Sequence, residues 1–194
     1  MAIADPVQLA VHVCGILNQL GIRSVVGGSI ASSILGEPRT TLDADLVVDL
    51  NESEVDAVVR MLQPDFYIPE SLLREAVLAR SSVNIIHRET ALKVDLFFVG
   101  SEPVARAQIE RCIRVPIGRD PDEVLYITSA EDSVLQKLIW YRKTGEASDR
   151  QWRDVLGVLK VQADRLDHAY LRSAAERADV TRLLDRALAE AGLG

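Results

Sequence analysis

Gly27-Gly28-Ser29, followed fourteen residues after Ser29 by Asp43-Ala44-Asp45, decides the reading of this chain. A short apolar run from Ile22 to Val26 enters the glycines as a strand, and Ser29 to Leu35 reads as a short helix closed by Gly36. Glycines let a backbone approach a phosphate closely. A helix N-terminus just beyond them supplies unpaired N–H groups and a dipole that favours anions. Leu42 to Leu50 reads as the next strand, with acidic and apolar positions alternating at its start. Two Asp at i and i+2 of a strand share a face, about 6.5–7 Å apart along it. Carboxylates so placed can share a hard cation that also binds substrate phosphates. Asp95, in Lys93-Val94-Asp95-Leu96-Phe97-Phe98, is the expected third carboxylate.

Each of these residues has a plainer reading. A Gly-Gly-Ser turn alone is common in loops, and an isolated Asp-x-Asp is ordinarily a solvated strand face. Here Asp is out of place on a Leu/Val-rich run, and like charges side by side oppose stability unless a cation offsets them. Asp95 among Val, Leu and Phe would be costly to bury unpaired. Asp49 shares the alternation but lies beyond the expected site. Arg39 is a loop cation or a clamp on phosphate or carboxylate. His87 lacks companions for a ligand set and is read as structural.

The composition suits one compact domain with a small appendage: 194 residues, 48% apolar, 26% charged. No apolar run is long enough to cross a bilayer. The opening Met1-Ala2-Ile3-Ala4-Asp5-Pro6 is unlike a signal peptide, so a cytoplasmic protein without a membrane partner is expected. Cys14 and Cys112 form no metal-binding spacing and are read as buried thiols. A net charge of −7 argues against a broad nucleic-acid surface. Basic residues such as Arg74, Arg80, Arg111, Arg114, Arg142 and Lys143 would have to gather on one side to make a local one.

The remaining pattern is α/β, then helical. Asp5-Pro6 starts a helix that Gly21 stops. Asn51 or Ser53 caps a helix to about Leu62, Phe66 to Ile68 is a short strand or turn, and Glu70 to Ala79 is a helix. Ser82 to His87 and Ala91 to Val99 form an antiparallel hairpin. A helix over Glu102 to Cys112 precedes short strands at Val115 to Ile117 and Val124 to Ile127. Ser129 with Asp132 resembles a capping box for a helix running to Lys143-Thr144-Gly145. Ser148 or Asp149 caps the next, with Trp152, Val155, Leu156 and Leu159 on one face. One or two helices follow from Asp167 to Ala191. The expected division is an α/β domain over 1–128 and a helical subdomain over 129–194. Trp140, Tyr141 and Trp152 are read as packing residues, with Tyr141 kept open for base stacking, and Arg153 and Asp154 as an inter-helix pair.

The order strand, Gly-Gly-Ser, short helix, strand with Asp-x-Asp resembles the nucleotidyltransferase superfamily that includes DNA polymerase β. Arg39-Thr40-Thr41-Leu42-Asp43-Ala44-Asp45 looks like the Arg-x-Thr/Ser-x-Asp-x-Asp form of AbiEii-type toxins and their uncharacterised bacterial relatives. Ala130-Glu131-Asp132, Lys137-Leu138 and Gln151-Trp152-Arg153-Asp154 are similar to the helical segment of that group. The resemblance spans residues 22–160. It implies a mixed β-sheet flanked by helices and a transfer of NMP from an NTP to an acceptor hydroxyl with release of pyrophosphate. Asp43, Asp45 and Asp95 would be the catalytic and metal-binding carboxylates, for Mg²⁺ with Mn²⁺ as the alternative. Gly27, Gly28, Ser29, Arg39, Thr41 and Lys137 would bind the nucleotide. The acceptor is left open among a tRNA 3′ end, a protein and a small molecule, and an antitoxin is an implied partner. A non-catalytic nucleotide binder, or a toxin–antitoxin interaction protein on the same fold, is the competing expectation.

Overall fold

A computed structural model describes residue 3 and residues 5–118 and 124–194. Part of the opening segment read above, residues 1, 2 and 4, lies outside the described residues. The chain order is α1 (Pro6–Gln19), β1 (Ser24–Val26), α2 (Gly28–Leu35), β2 (Asp43–Val48), α3 (Val55–Leu62), β3 (Phe66–Tyr67), α4 (Glu70–Leu78), β4 (Ser82–His87) and β5 (Lys93–Phe98). There follow α5 (Pro103–Glu110), β6 (Ile113–Pro116), β7 (Val124–Ile127), α6 (Ala130–Lys143), α7 (Asp149–Gln162), α8 (His168–Arg177) and α9 (Thr181–Ala191). Among the described residues seven strands form one mixed sheet in the order β3-β4-β5-β2-β1-β7-β6. β2 runs parallel to β5 and antiparallel to β1, and β4–β5 is the expected antiparallel hairpin.

Alternation along β2 and β5 sorts their side chains between two environments. Ala44, Leu46, Val48, Val94, Leu96 and Phe98 are buried in the main core, across which α1 packs on β2. The opposite phase, by the period of two, carries Asp43, Asp45 and Val47 on β2 and Lys93, Asp95 and Phe97 on β5. On that face Val47 joins Val25, Val99 and Ile109 in a small second cluster. The helical segment is not a separate core: Leu138, Val155, Val158, Leu171 and Leu184 belong to the same continuous cluster as the sheet.

Helix ends follow the chemistry of their caps. Asp5 accepts from the N–H groups of Val7 and Gln8, both at 2.9 Å. Ser129 accepts from Asp132 N–H at 3.1 Å and Ser148 from Gln151 N–H at 3.4 Å. Asn51 opens a 3₁₀ turn, its N–H bonded to the Glu54 carboxylate at 2.8 Å, before α3 proper. The expected strand from Leu42 to Leu50 is shorter. Leu42 precedes β2 and is 73% exposed, because it sits on a cleft rim and not under a helix. The strand from Ile22 likewise begins at Ser24, although Ile22 itself is buried. β6 spans Ile113–Pro116 and so starts two residues before the expected Val115 to Ile117. Among the described residues no helix is long and apolar enough to cross a membrane.

Candidate active site

The turn between β1 and α2 presses directly on β2. Gly28 has φ +54°, and a Cβ placed on it would stand 1.8 Å from Asp45 Oδ2. Only glycine fits there, on both counts. Ser29 N–H points at the same carboxylate oxygen, at 3.4 Å. Asp45 therefore lies at the α2 N-terminus, where the orphan N–H groups of a helix favour an anion. Gly27 N–H is bonded to Asp45 O at 2.9 Å, which fixes the turn to the strand.

The sheet register brings the acidic positions together. Asp45 is the direct partner of Asp95 in the parallel β2–β5 ladder, and Asp43 stands opposite Lys93. Neighbouring strands are about 4.8 Å apart, so Asp45 and Asp95 share a face on adjacent strands. Burial pushes the Asp45 carboxyl above the ordinary range, opposed by the Ser29 N–H, while the charges of Asp95 and Asp43 push it further. Asp95 is also raised, by burial first and then by Asp43. Three mutually repelling carboxylates on one face suit a hard cation. Among the described residues no three such side chains close into a ready-made cage.

Arg39 and Lys137 are tied to the same residue, Asp154 on α7. Arg39 donates a two-pronged pair to Asp154, Nε to Oδ1 and Nη2 to Oδ2, each at 2.8 Å. Its Nη2 also donates to Ser29 Oγ. Lys137 Nζ donates to Asp154 Oδ2 at 2.7 Å and to Gln151 Oε1 at 3.3 Å. Burial tends to raise Asp154, but the Arg39 and Lys137 hydrogen bonds and charges outweigh it and hold the carboxyl below its usual range. Burial lowers Lys137. The Arg39–Asp154–Lys137 cluster thus joins the loop before β2 to both α6 and α7.

Two clefts meet at this point. The first, about 650 Å³, is lined by Gly27, Gly28, Val47, Phe97, Lys137 and Trp140 among others. The second, about 800 Å³, is lined by Arg39, Thr41, Leu42, Asp43, Arg153 and Asp154 among others. Ser29, Asp45 and Gln151 line both. The Thr41 hydroxyl donates to Asp43 O at 3.1 Å, holding the start of β2 at the second cleft. Asp95 is half-buried and belongs to the lining of neither cleft, so of the three carboxylates it is the one set back.

Other expectations resolve cleanly. Asp49 pairs with Arg23 at 2.6 Å, away from the cluster. His87 is buried and bonded to Thr90 Oγ1 at 2.8 Å, a structural residue. Tyr141, kept open for stacking, is instead packed inside against Trp152, with ring centroids 5.1 Å apart. Trp140 is the ring that reaches a cleft. Helical spacing carried that signal: Val134, Leu138 and Tyr141 fall at i, i+4 and i+7 on the core face, and Trp140 does not. Gln151 and Asp154, legible in the sequence only within the likeness and as an inter-helix pair, meet Lys137, and Asp154 also meets Arg39. Their i, i+3 spacing on α7 places both toward the same cleft.

No family model and no curated protein matches this chain. Solved structures do. An antigenic nucleotidyltransferase-like protein from Paracoccidioides brasiliensis superposes with a TM-score of 0.55 at 15% identity, over 93% of this chain and 90% of that one. The antibiotic-resistance factor ANT(2″)-Ia superposes with a TM-score of 0.52 at 14% identity, over 97% and 96% of the two chains. At these identities the likeness is one of fold. A mixed sheet carries the Gly-Gly-Ser turn and the Asp-x-Asp strand side by side, and the chain has the nucleotidyltransferase fold.

Proposed function

We propose that this chain is a Mg²⁺-dependent nucleotidyltransferase that moves an NMP from an NTP to an acceptor hydroxyl and releases pyrophosphate. The observation that carries the reading is the fit of Asp45 into the space left by Gly28, at the helix N-terminus where two clefts meet.

Ser29 N–H and the Ser29 hydroxyl would hold the terminal phosphates, with Gly27 and Gly28 allowing the close approach. Asp45 holds the anion position of α2 in the free chain. A phosphate taking that position would release the carboxylate for a cation shared with Asp43 and Asp95. Mg²⁺ bound there would neutralise charge on the triphosphate and on the leaving pyrophosphate. Arg39 and Thr41 line the second cleft beside Asp43, which suits them to the donor's phosphates. Lys137 and Arg39 share Asp154, so a triphosphate would compete with that carboxylate for both cations.

In the transfer, a lone pair of the acceptor oxygen forms a bond to the α-phosphorus. The bond from that phosphorus to the α,β-bridging oxygen breaks, and pyrophosphate leaves with its electron pair. Asp95, beside Asp45 in the strand register, would help deprotonate the acceptor hydroxyl, whose proton passes to solvent. The finer likeness to AbiEii-type toxins, resting on the Arg39 to Asp45 stretch and on Lys137 and Asp154, adds a restraining antitoxin as a proposed partner.

The test is release of pyrophosphate from each NTP in the presence of Mg²⁺ and acceptor pools of RNA, nucleotides or protein. Release by the wild type and not by Asp45→Asn supports transfer. Absence of release from every NTP with every pool, at protein concentrations that bind NTP, would leave a nucleotide binder without transfer chemistry.

A further inference from the structure

The first cleft inverts the charge of the molecule. Arg80, Arg142, Lys143 and Arg177 line it together with Lys137, against two carboxylates, Asp45 and Glu102, in a chain whose net charge is −7. Among the described residues none of Arg80, Arg142, Lys143 and Arg177 pairs with a buried carboxylate. Arg80 anchors one N–H on Leu50 O at 2.9 Å. Arg142 meets the Asp179 carboxylate at 2.9 Å, and that side chain is 98% exposed. Arg177 donates to Ser173 Oγ at 2.7 Å. Lys143 Nζ stands 5.2 Å from the ring centre of Trp140.

The same cleft offers a flat apolar surface. Trp140 is 37% exposed and meets Phe97 edge-to-face, with centroids 6.3 Å apart. Thr128 and Ser133 are almost wholly buried, and among the described residues neither hydroxyl has a hydrogen-bond partner. Both residues line the cleft. Buried hydroxyls without partners are rare in folded proteins and mark a place where a ligand or water supplies the missing bond.

We propose that the first cleft holds the acceptor, and that this acceptor is a phosphorylated, ring-bearing molecule of nucleotide chemistry and not a polycation. The assignment rests on the nucleotidyl-transfer reading and names the acceptor class for that site. Phosphate meets Arg80, Arg142, Lys143 and Arg177, a planar ring lies on Trp140, and polar atoms of the ligand complete Thr128 and Ser133. Stacking on an aromatic face is tolerant of base identity, so charge and flatness set the class and the buried hydroxyls refine it. The cleft reaches Ser29 and Asp45, where the donor's phosphates in the second cleft come within reach of an acceptor hydroxyl. Either a free nucleotide or the terminal nucleotide of an RNA presents this chemistry.

The test is calorimetric titration of AMP, a 5′-phosphorylated ribotrinucleotide and spermine. Each is titrated into protein saturated with Mg²⁺ and the α,β-methylene analogue of the NTP that binds, so that the donor site is filled. The wild type is expected to bind AMP or the trinucleotide at least tenfold more tightly than spermine. The Lys143→Glu/Arg177→Glu variant is expected to lose at least tenfold of that affinity while its affinity for the NTP analogue stays within twofold. Tighter binding of the trinucleotide than of AMP by tenfold or more identifies an RNA end, and equal binding identifies a free nucleotide. Preference for spermine, absence of binding by both anionic probes, or equal losses for donor and acceptor in the variant would overturn the assignment while leaving NTP binding intact. If no NTP analogue binds at all, the transfer reading falls and the assignment falls with it.

Discussion

The carboxylate of Asp45 fills the space that any side chain on residue 28 would need: a Cβ there would lie 1.8 Å from Oδ2. The turn and the acidic strand are therefore one unit. Gly28→Ala is expected to cost about 1–2 kcal/mol from its positive φ alone, and to displace Asp45 as well. NTP affinity should fall by more than tenfold, a larger effect than the stability loss predicts. Urea unfolding and calorimetric titration on the same preparation check the two parts separately.

Asp154 holds two cations, and its side chain and that of Lys137 are each only 6% exposed. Breaking a buried pair by removing one partner costs about 3–5 kcal/mol, because the other charge is left unpaired. Asp154→Asn should lose stability in that range. Adding Lys137→Met should recover part of it, because the more buried of the two stranded charges, Lys137 and Arg39, is then gone. A double-mutant cycle by urea unfolding gives the coupling.

The same cluster sets an acid limb. The Asp154 carboxyl is held below its ordinary value, so the native state binds its proton less readily than the unfolded chain. Its contribution is present above the unfolded value of about 3.9 and is lost as pH falls through the lower native value. Lys137 has the same sense in a higher window: its lowered value means that stability again increases as pH rises below the ordinary lysine range. Urea midpoints from pH 5 down to pH 2 should fall more steeply for the wild type than for Asp154→Asn. Parallel slopes would count against the pairing.

α2 and α7 touch backbone to backbone. A Cβ on Gly36 would lie 2.6 Å from Val158 N, whereas one on Gly157 would lie 3.2 Å from Glu37 N. Gln162 Nε2 also donates to Leu35 O at 2.6 Å across this contact. Gly36→Ala is expected to cost about 1–3 kcal/mol by overpacking. Gly157→Ala should cost less, because alanine regains about 1 kcal/mol of helix propensity inside α7. Thermal unfolding of the two variants tests the order.

Much of this site could be read from local pattern. The Gly-Gly-Ser turn, the alternation of Asp43 and Asp45, and the hairpin that carries Asp95 all depend on spacing of a few residues. The pairing of Asp45 with Asp95 depends on register between parallel strands, and the link of Arg39 to Asp154 spans 115 positions. Neither leaves a mark in a local window. Leu42 and Trp140 misled for a related reason. Apolar residues that line a cleft look like core in a sequence, and only the helical spacing from Val134 and Leu138 sets Tyr141 in the interior apart from Trp140 on the cleft. The basic residues that a local nucleic-acid surface would need are legible in the sequence as a list but not as a place. Arg80, Arg142 and Lys143 do share one cleft, while Arg74 pairs with Asp56 and Glu70, and Arg111 stacks on Tyr170.

The most direct measurement is calorimetric titration of each NTP, with and without Mg²⁺, into the wild type and into Asp45→Asn. That substitution keeps the shape against Gly28 and removes the charge. Binding of at least one NTP that requires Mg²⁺ and weakens tenfold or more in the variant is the predicted result. Equal affinity in both proteins irrespective of Mg²⁺, or no binding of any NTP, would contradict the account.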